Sequence, residues 1–378
     1  MENIHTFKTL VPETLNQPGS TRMKFANHIL KRACEKGDVE RIRKVLKQGA
    51  NPNAQFKDGR TPLHLCMNIE AIPILVSYGA NLNFADQLGN TPLHLACKDV
   101  NLDRMNQLLN HGANPNALND SKYTPLHLLI NCCTRCTNQD DVLDGIRLLV
   151  KFNAIIDIQD DEGQSPLLAA TERVCNCNDN VKAELATKLV NQLLKLGANP
   201  NLETVYGTTP FSTAMCRKID LMSMMVSYGA KIDYINAFGS TLLHKAASNL
   251  DVDLMTKLLE HGADPDVLDI NTKQSAMHKV FIRSYKSFGD GYKNAISKAI
   301  KELIRHGANI NAQDFCKGTP LHHAIGYCVE GIKMEVGLEI LLRFRPDPYI
   351  RNVHGSSAFE KALEYNCMDA TKVMLLQL

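Results

Sequence analysis

The sequence predicts an all-α solenoid of stacked helix-turn-helix units joined by hairpin-like loops, and three observations predict it. The string Thr-Pro-Leu-His stands at Thr61–His64, Thr91–His94, Thr124–His127 and Thr319–His322, with degraded copies beginning at Ser165, Thr209, Thr241, Ser275 and Ser357. A second string, Gly-Ala-Asn/Asp-x-Asn/Asp, begins at Gly49, Gly79, Gly112, Gly197, Gly262 and Gly307, with Gly229-Ala-Lys-Ile-Asp as a variant. Order and spacing are kept along the chain, giving a unit of about 33 residues with insertions.

Each part of the unit has a physical reason. The Thr or Ser is an N-cap whose hydroxyl takes an orphan backbone N–H, and the Pro sits at the first helical position, where its missing N–H costs nothing. A short apolar helix follows, as at Leu93, Leu95, Ala96 and Cys97. A second helix carries a Leu-Leu pair, Leu108-Leu109 or Leu258-Leu259, and stops at Gly112 or Gly262, which fit a left-handed helix end. A polar stretch such as Asn116–Asn119 then suits a hairpin turn. One unit cannot bury its apolar face alone, whereas stacked units share a core. Ten units are expected. The first, Phe25–Ala54, lacks the Thr-Pro start but keeps Ala33-Cys34, Gly37 and Gly49. The last, Ser357–Leu378, has Glu360 in place of the His. Both read as capping units, residues 1–24 as a flexible lead-in, and 25–378 as a single repeat domain.

On these motifs the chain resembles the ankyrin-repeat family over about residues 25–378, which implies an ankyrin-repeat α-solenoid. The resemblance further implies that the imidazole at the fourth motif position (His64, His94, His127, His244, His278, His322) ties neighbouring hairpins by hydrogen bonds. It implies binding of a protein partner through hairpin tips and first-helix surfaces, without catalysis. His111, His261 and His306 precede helix-ending glycines, where a donor suits the last-turn carbonyls. The remaining His5, His28, His323 and His354 show no ligand spacing. No nucleophile elbow, phosphate loop, zinc-protease or dinucleotide motif is present. No enzyme is expected.

Composition narrows the partners. Lys plus Arg number 42 against 40 Asp plus Glu, a net charge of +2, which argues against nucleic acid. No stretch approaches 18 uncharged apolar residues, so no membrane insertion is expected. The N-terminal stretch has no apolar core behind a basic start, so a cytoplasmic or nuclear location is expected, or delivery to a host cell for a pathogen protein. Twelve cysteines then read as free thiols or ligands rather than a disulfide frame, with Cys34, Cys66 and Cys97 packed as small hydrophobes. A monomer is expected.

The departures from the repeat carry the individuality. Extra residues fall after the first helix at 131–140, 174–182, 283–293 and 326–333. The first two are adjacent cysteine-bearing loops, and Cys133, Cys136, Cys175 and Cys177 could converge on one tetrahedral ion. Drift, a structural zinc clip and a redox-sensitive disulfide are all open for them; otherwise no cofactor is expected. The third insert, at 283–293, is basic and aromatic and reads as either a protein-contact loop or a solvated linker. Hairpin tips should be polar if they meet only water, yet Leu88, Tyr206 and Phe238 occupy them, with Phe315 and His354 in later units. These five are the expected partner contacts, although a tip ring could instead fold onto a neighbouring hairpin. The tips of repeats two to five are charged by comparison, with Lys57, Asp58, Asp120, Asp160, Asp161 and Glu162. Three further roles stay open: a substrate-recruiting adaptor of a ubiquitin-ligase-type complex, a pathogen effector acting on host proteins, and a zinc- or redox-responsive protein built on the cysteine inserts.

Overall fold

A computed structural model describes residues 21–132, 139–176, 180–214, 221–236, 238–281, 290–326 and 335–376. These residues form twenty helices and no strand, only an isolated bridge between Arg351 and Ser357. They fall into two compact units, Met1–Ala198 and Asn199–Leu378, and the expected repeats are distributed over both. No described helix is long and apolar enough to cross a membrane.

The first unit pairs α1 (Thr21–Lys36) with α2 (Val39–Lys47), α3 (Pro62–Leu65) with α4 (Ala71–Ser77), α5 (Pro92–Lys98) with α6 (Leu102–Asn110), α7 (Pro125–Cys132) with α8 (Gln139–Lys151), and α9 (Pro166–Asn176) with α10 (Asn180–Lys195). The second pairs α11 (Pro210–Ala214) with α12 (Leu221–Ser227), α13 (Leu242–Asn249) with α14 (Val252–Glu260), α15 (Ala276–Val280) with α16 (Asp290–Arg305), α17 (Pro320–Gly326) with α18 (Glu335–Arg343), and α19 (Ala358–Glu364) with α20 (Met368–Leu375). Within each unit the first helices pack on first helices and the second on second, as α5 on α7 and α14 on α16. The residue after each Pro is the core residue this layering needs: Leu63, Leu93, Leu126, Leu167, Phe211 and Leu321 are all buried. The Leu-Leu pairs of α6 and α14 are buried opposite them. Gly112 ends α6 at φ +95°, the left-handed stop that the sequence calls for.

The motif histidines do what the resemblance implies. Thr91 N–H donates to His94 Nδ1 at 3.1 Å, and His94 N–H donates back to Thr91 Oγ1 at 3.4 Å. A nitrogen that accepts a backbone N–H carries no proton, so Nε2 holds it and donates to Tyr123 O of the next hairpin at 2.9 Å. His64, His127, His244, His278 and His322 repeat this reach, to the carbonyls of Asn90, Gln164, Gln274, Gly318 and Ser356. Ser212 keeps only the cap, exchanging hydrogen bonds with Thr209, and Glu360 likewise caps through Ser357. His111 and His261 each bond the carbonyl four residues back, at 2.8 Å. Cys34, Cys66 and Cys97 are buried, and burial raises all three thiols, Cys66 to about 11.

A second ladder runs through the Gly-Ala-Asn-x-Asn strings. Asn201 Nδ2 donates to Gly229 O at 3.0 Å while its Oδ1 accepts Lys231 N–H at 2.8 Å, binding one repeat to the next. Asn53 makes the same pair with Gly79 and Asn81. Asp233 holds this position one repeat on, accepting only from Asp264 N–H. A carboxylate cannot donate, and burial, with the nearby Asp264 charge adding to it, raises the Asp233 carboxyl above its ordinary value. A raised carboxyl favours the folded state below its unfolded range and loses that advantage as pH rises. Asp233→Asn should therefore stabilise the protein by about 1 kcal/mol at neutral pH, and by less near pH 4. Urea unfolding at both pH values checks this, and an unchanged midpoint at pH 7 would count against it.

Two expectations need correction. Helix α1 begins at Thr21, inside the stretch read as a lead-in, and residues 1–20 lie outside the described residues. The insert at 174–182 is largely helix rather than loop, because its residues lengthen α9 to Asn176 and start α10 at Asn180. Most of the other three inserts lies outside the described residues, with their edges again in helix: Cys132 ends α7, Asp290 starts α16 and Gly326 ends α17.

Candidate functional site

The hairpins that lead into the first helices form fingers, and one polar residue fixes most of them. Asp86 Oδ1 accepts the N–H groups of Leu88 and Asn90, both at 2.9 Å. In the sixth finger Thr204 Oγ1 does this for Tyr206 and Thr208, in the seventh Asn236 for Phe238 and Ser240, and in the tenth Asn352 for His354 and Ser356. This side-chain turn ties down the tip backbone and leaves the tip side chain outside. Neighbouring fingers are also joined by their backbones: Ile270 N–H bonds Gly239 O, Phe315 N–H bonds Thr272 O, and Val353 N–H bonds Cys316 O. Gly89 shows how close the approach is, since a Cβ there would sit 2.5 Å from Asp120 N.

The tips expected to meet a partner are exposed. Tyr206 is 66% exposed, Phe238 65%, Phe315 74% and Leu88 68%, and His354 is exposed as well. Ile270 and Val353 extend the apolar run through the second unit. Phe238 also leans on the sixth finger: a Cβ at Gly207 would lie 3.2 Å from its ring. The fold-back reading is thus partly met, yet two-thirds of the ring remains open. Four of the five tips line two cavities of the second unit. Tyr206 and Phe238 border one of about 550 Å³, with Phe211, Tyr234 and Lys245; Phe315 and His354 border one of about 520 Å³, with His323 and Lys361. Leu88 belongs to the first unit, where its neighbours on other fingers, Asp58, Asp120, Asp161 and Glu162, are exposed and charged.

Of the proposed zinc ligands, Cys175 lies in α9 and is buried; Cys133, Cys136 and Cys177 lie outside the described residues. A different group does converge. Atoms of His278, Asp314 and His323 able to ligate a metal lie within 4.8 Å of one another, which spacing along the chain could not reveal. Its chemistry does not favour a metal. His278 Nδ1 accepts Ser275 N–H and its Nε2 proton points at Gly318 O, so that ring has no lone pair to offer without giving up its structural bonds. Asp314 is engaged twice, accepting Gly318 N–H at 2.7 Å and His323 Nε2 at 2.8 Å. Burial alone would raise the Asp314 carboxyl, but these bonds outweigh it and hold it below its ordinary value. The cluster anchors the ninth finger, whose tip carries Phe315.

Sequence reasoning missed the finger-fixing residue, although a signal was present: Asp, Asn or Thr stands five residues before the cap in seven copies, as Asp86, Asn119, Asp160, Thr204, Asn236, Asp314 and Asn352. It also missed Lys245 and His323, whose importance is one of position alone.

A family model described as Ankyrin repeats (3 copies) matches residues 30–119, 67–137 and 180–269, together just over half of the chain. Human Rabankyrin-5 is 28% identical over 120 residues, which cover 32% of this chain and 10% of that protein. Human SH3 and multiple ankyrin repeat domains protein 2 is 26% identical over 220 residues, 57% of this chain and 11% of that one. An ankyrin repeat protein of Vaccinia virus (strain Western Reserve) is 30% identical over 192 residues, 43% of this chain and 31% of that one. The chain thus spans a third or less of the length of these relatives. Capped first helices, imidazole ties and finger geometry agree with the family match, and the chain belongs to the ankyrin-repeat family.

Proposed function

We propose that the chain is a non-catalytic protein-binding module that holds a protein partner on the finger side of its second unit. One observation carries the reading: the tips Tyr206, Phe238, Phe315 and Val353 are exposed apolar side chains on fingers whose backbones are already fixed. Pre-ordered aromatic anchors lose little entropy on binding, which is what interface hot spots require. The relatives' repeats and the absence of enzyme motifs point the same way.

The test is affinity capture with wild type and a Tyr206→Ser/Phe238→Ser double variant shown by circular dichroism to stay folded. A partner held by wild type should be lost by the variant, with affinity falling at least about thirtyfold, since two anchors at about 1–3 kcal/mol each are removed. A partner held equally by both proteins would move the site off these fingers.

A further inference from the structure

We infer that the cavity between the sixth and seventh fingers takes an acidic peptide segment carrying an apolar or aromatic anchor residue. This rests on the binding-module reading above and adds the chemistry of the partner. The first ground is the missing imidazole of the sixth repeat. In the other units of the second half with a motif histidine, the ring spans from the first helix to the next finger; Ser212 stops at its own cap. Ser212 itself lines the 550 Å³ cavity, which is walled by Tyr206, Tyr234 and Phe238. The Tyr234 hydroxyl bonds the Glu203 carboxylate, which steadies that wall. A cavity of this size accepts one large side chain between aromatic faces.

The second ground is charge. Among the described residues no Asp or Glu lines this cavity, while Lys245 and Lys279 do. Of the carboxylates near this face, Glu203 is engaged by the Tyr234 hydroxyl and two others are turned inward. Asp269 has a side chain only 3% exposed and is held by Lys279 and by the N–H and hydroxyl of Thr272. Asp314, in the neighbouring cavity, has a side chain 7% exposed and is held by Gly318 and His323, while Lys361 lines the same space. Lys245 is exposed, with no described carboxylate in ion-pair distance. What a ligand meets is therefore the Lys245 ammonium, the Lys279 charge being paired with Asp269, and hydroxyls such as Ser240 and Ser248 around an aromatic slot, which suit carboxylates beside an apolar anchor. The charged tips of the first unit, Asp58, Asp120, Asp161 and Glu162, would repel the same segment.

The probe is a phage-displayed library of random peptides of about 12 residues, selected on the immobilised full chain. Enriched sequences are then synthesised and titrated against wild type, Lys245→Glu and the Tyr206→Ser/Phe238→Ser variant at about 50 and about 300 mM salt. The expected sequences are net negative with at least one apolar or aromatic residue. Lys245→Glu should weaken them about tenfold or more, salt should weaken them in the same direction, and the double variant should abolish binding. Lys245→Gln, which removes the charge without reversing it, should fall between. Neutral or basic peptides that ignore Lys245→Glu but need the two tips would overturn the acidic assignment and leave the binding module standing. Peptides indifferent to both variants, or no enrichment, would overturn both.

Discussion

Between pH 7.5 and pH 5 the protein should lose stability steeply, and the six motif histidines should be the cause. Each is buried with Nδ1 accepting a backbone N–H and Nε2 donating to a carbonyl, so a second proton would face a donor. Burial lowers all six below the ordinary imidazole value, His278 to about 4. In the unfolded chain they titrate at about 6.5. The sign follows directly: a lowered imidazole keeps its full contribution above about 6.5 and loses it as pH falls toward the folded value. For His278 alone this amounts to about 2 kcal/mol at pH 5, and the other five act in the same direction. The strongly held Asp269 does not confuse the window. Burial would raise Asp269, but its bonds from Lys279 and Thr272 outweigh that and hold it to about 2, so its contribution fades only below about pH 4.

Urea unfolding at the two pH values, on wild type and His278→Ser, reads this out. Serine is the fair replacement because Ser212 already fills the position in the sixth repeat, capping its helix without reaching across. At pH 7.5 the variant should be weaker by about 2–3 kcal/mol, having lost the bond to Gly318 and left space around it. At pH 5 the gap should nearly close, since the variant has one proton fewer to take up on unfolding. Parallel curves at the two pH values would show that His278 does not titrate in this window.

These histidines also mark how far the sequence could be read. Cap, helix, glycine stop and imidazole tie lie within a few residues of one another, so Thr91, Pro92 and His94 declare their structure locally. The tips of the fingers were legible for the same reason: a Tyr or Phe before a left-handed Gly has nowhere to hide. The 174–182 insert was misread because a loop and an extended helix share their polar composition, and this stretch prolongs two amphipathic helices. Contacts that lie outside the repeated motif were not legible at all. His323 meets Asp314 and His278 because a finger turns back over α17, and Lys245 faces a cavity because Ser212 is small. Neither fact has a local signature.

Arg104 belongs to that last class, and replacing it should be among the most damaging single changes in the first unit. Helix α3 has only four residues, and the N–H that would continue it, that of Met67, turns instead to Cys34 O at 3.4 Å. The carbonyls of Leu63 and His64 are thereby left without their helical donors. Arg104, reaching across from α6, supplies both bonds through one nitrogen, at 3.0 and 2.9 Å, while its own backbone N–H is fixed by Asn101 Oδ1. The guanidinium is 5% exposed and its Nε has no partner, so the bonds are bought against desolvation, which lowers its proton affinity. Arg104→Met removes that desolvation cost but leaves two buried carbonyls unpaired at about 1–3 kcal/mol each, so the net loss should be about 2–4 kcal/mol. Arg104→Lys keeps a charge at the helix end and should recover part of it, but an ammonium lacks the planar reach of the guanidinium. Hydrogen exchange separates this from general destabilisation: amides of α3 and the following turn should lose protection first, while those of α14 keep theirs. A methionine variant within about 0.5 kcal/mol of wild type would mean that relief of desolvation outweighs the two carbonyls, and that the short helix needs no cap.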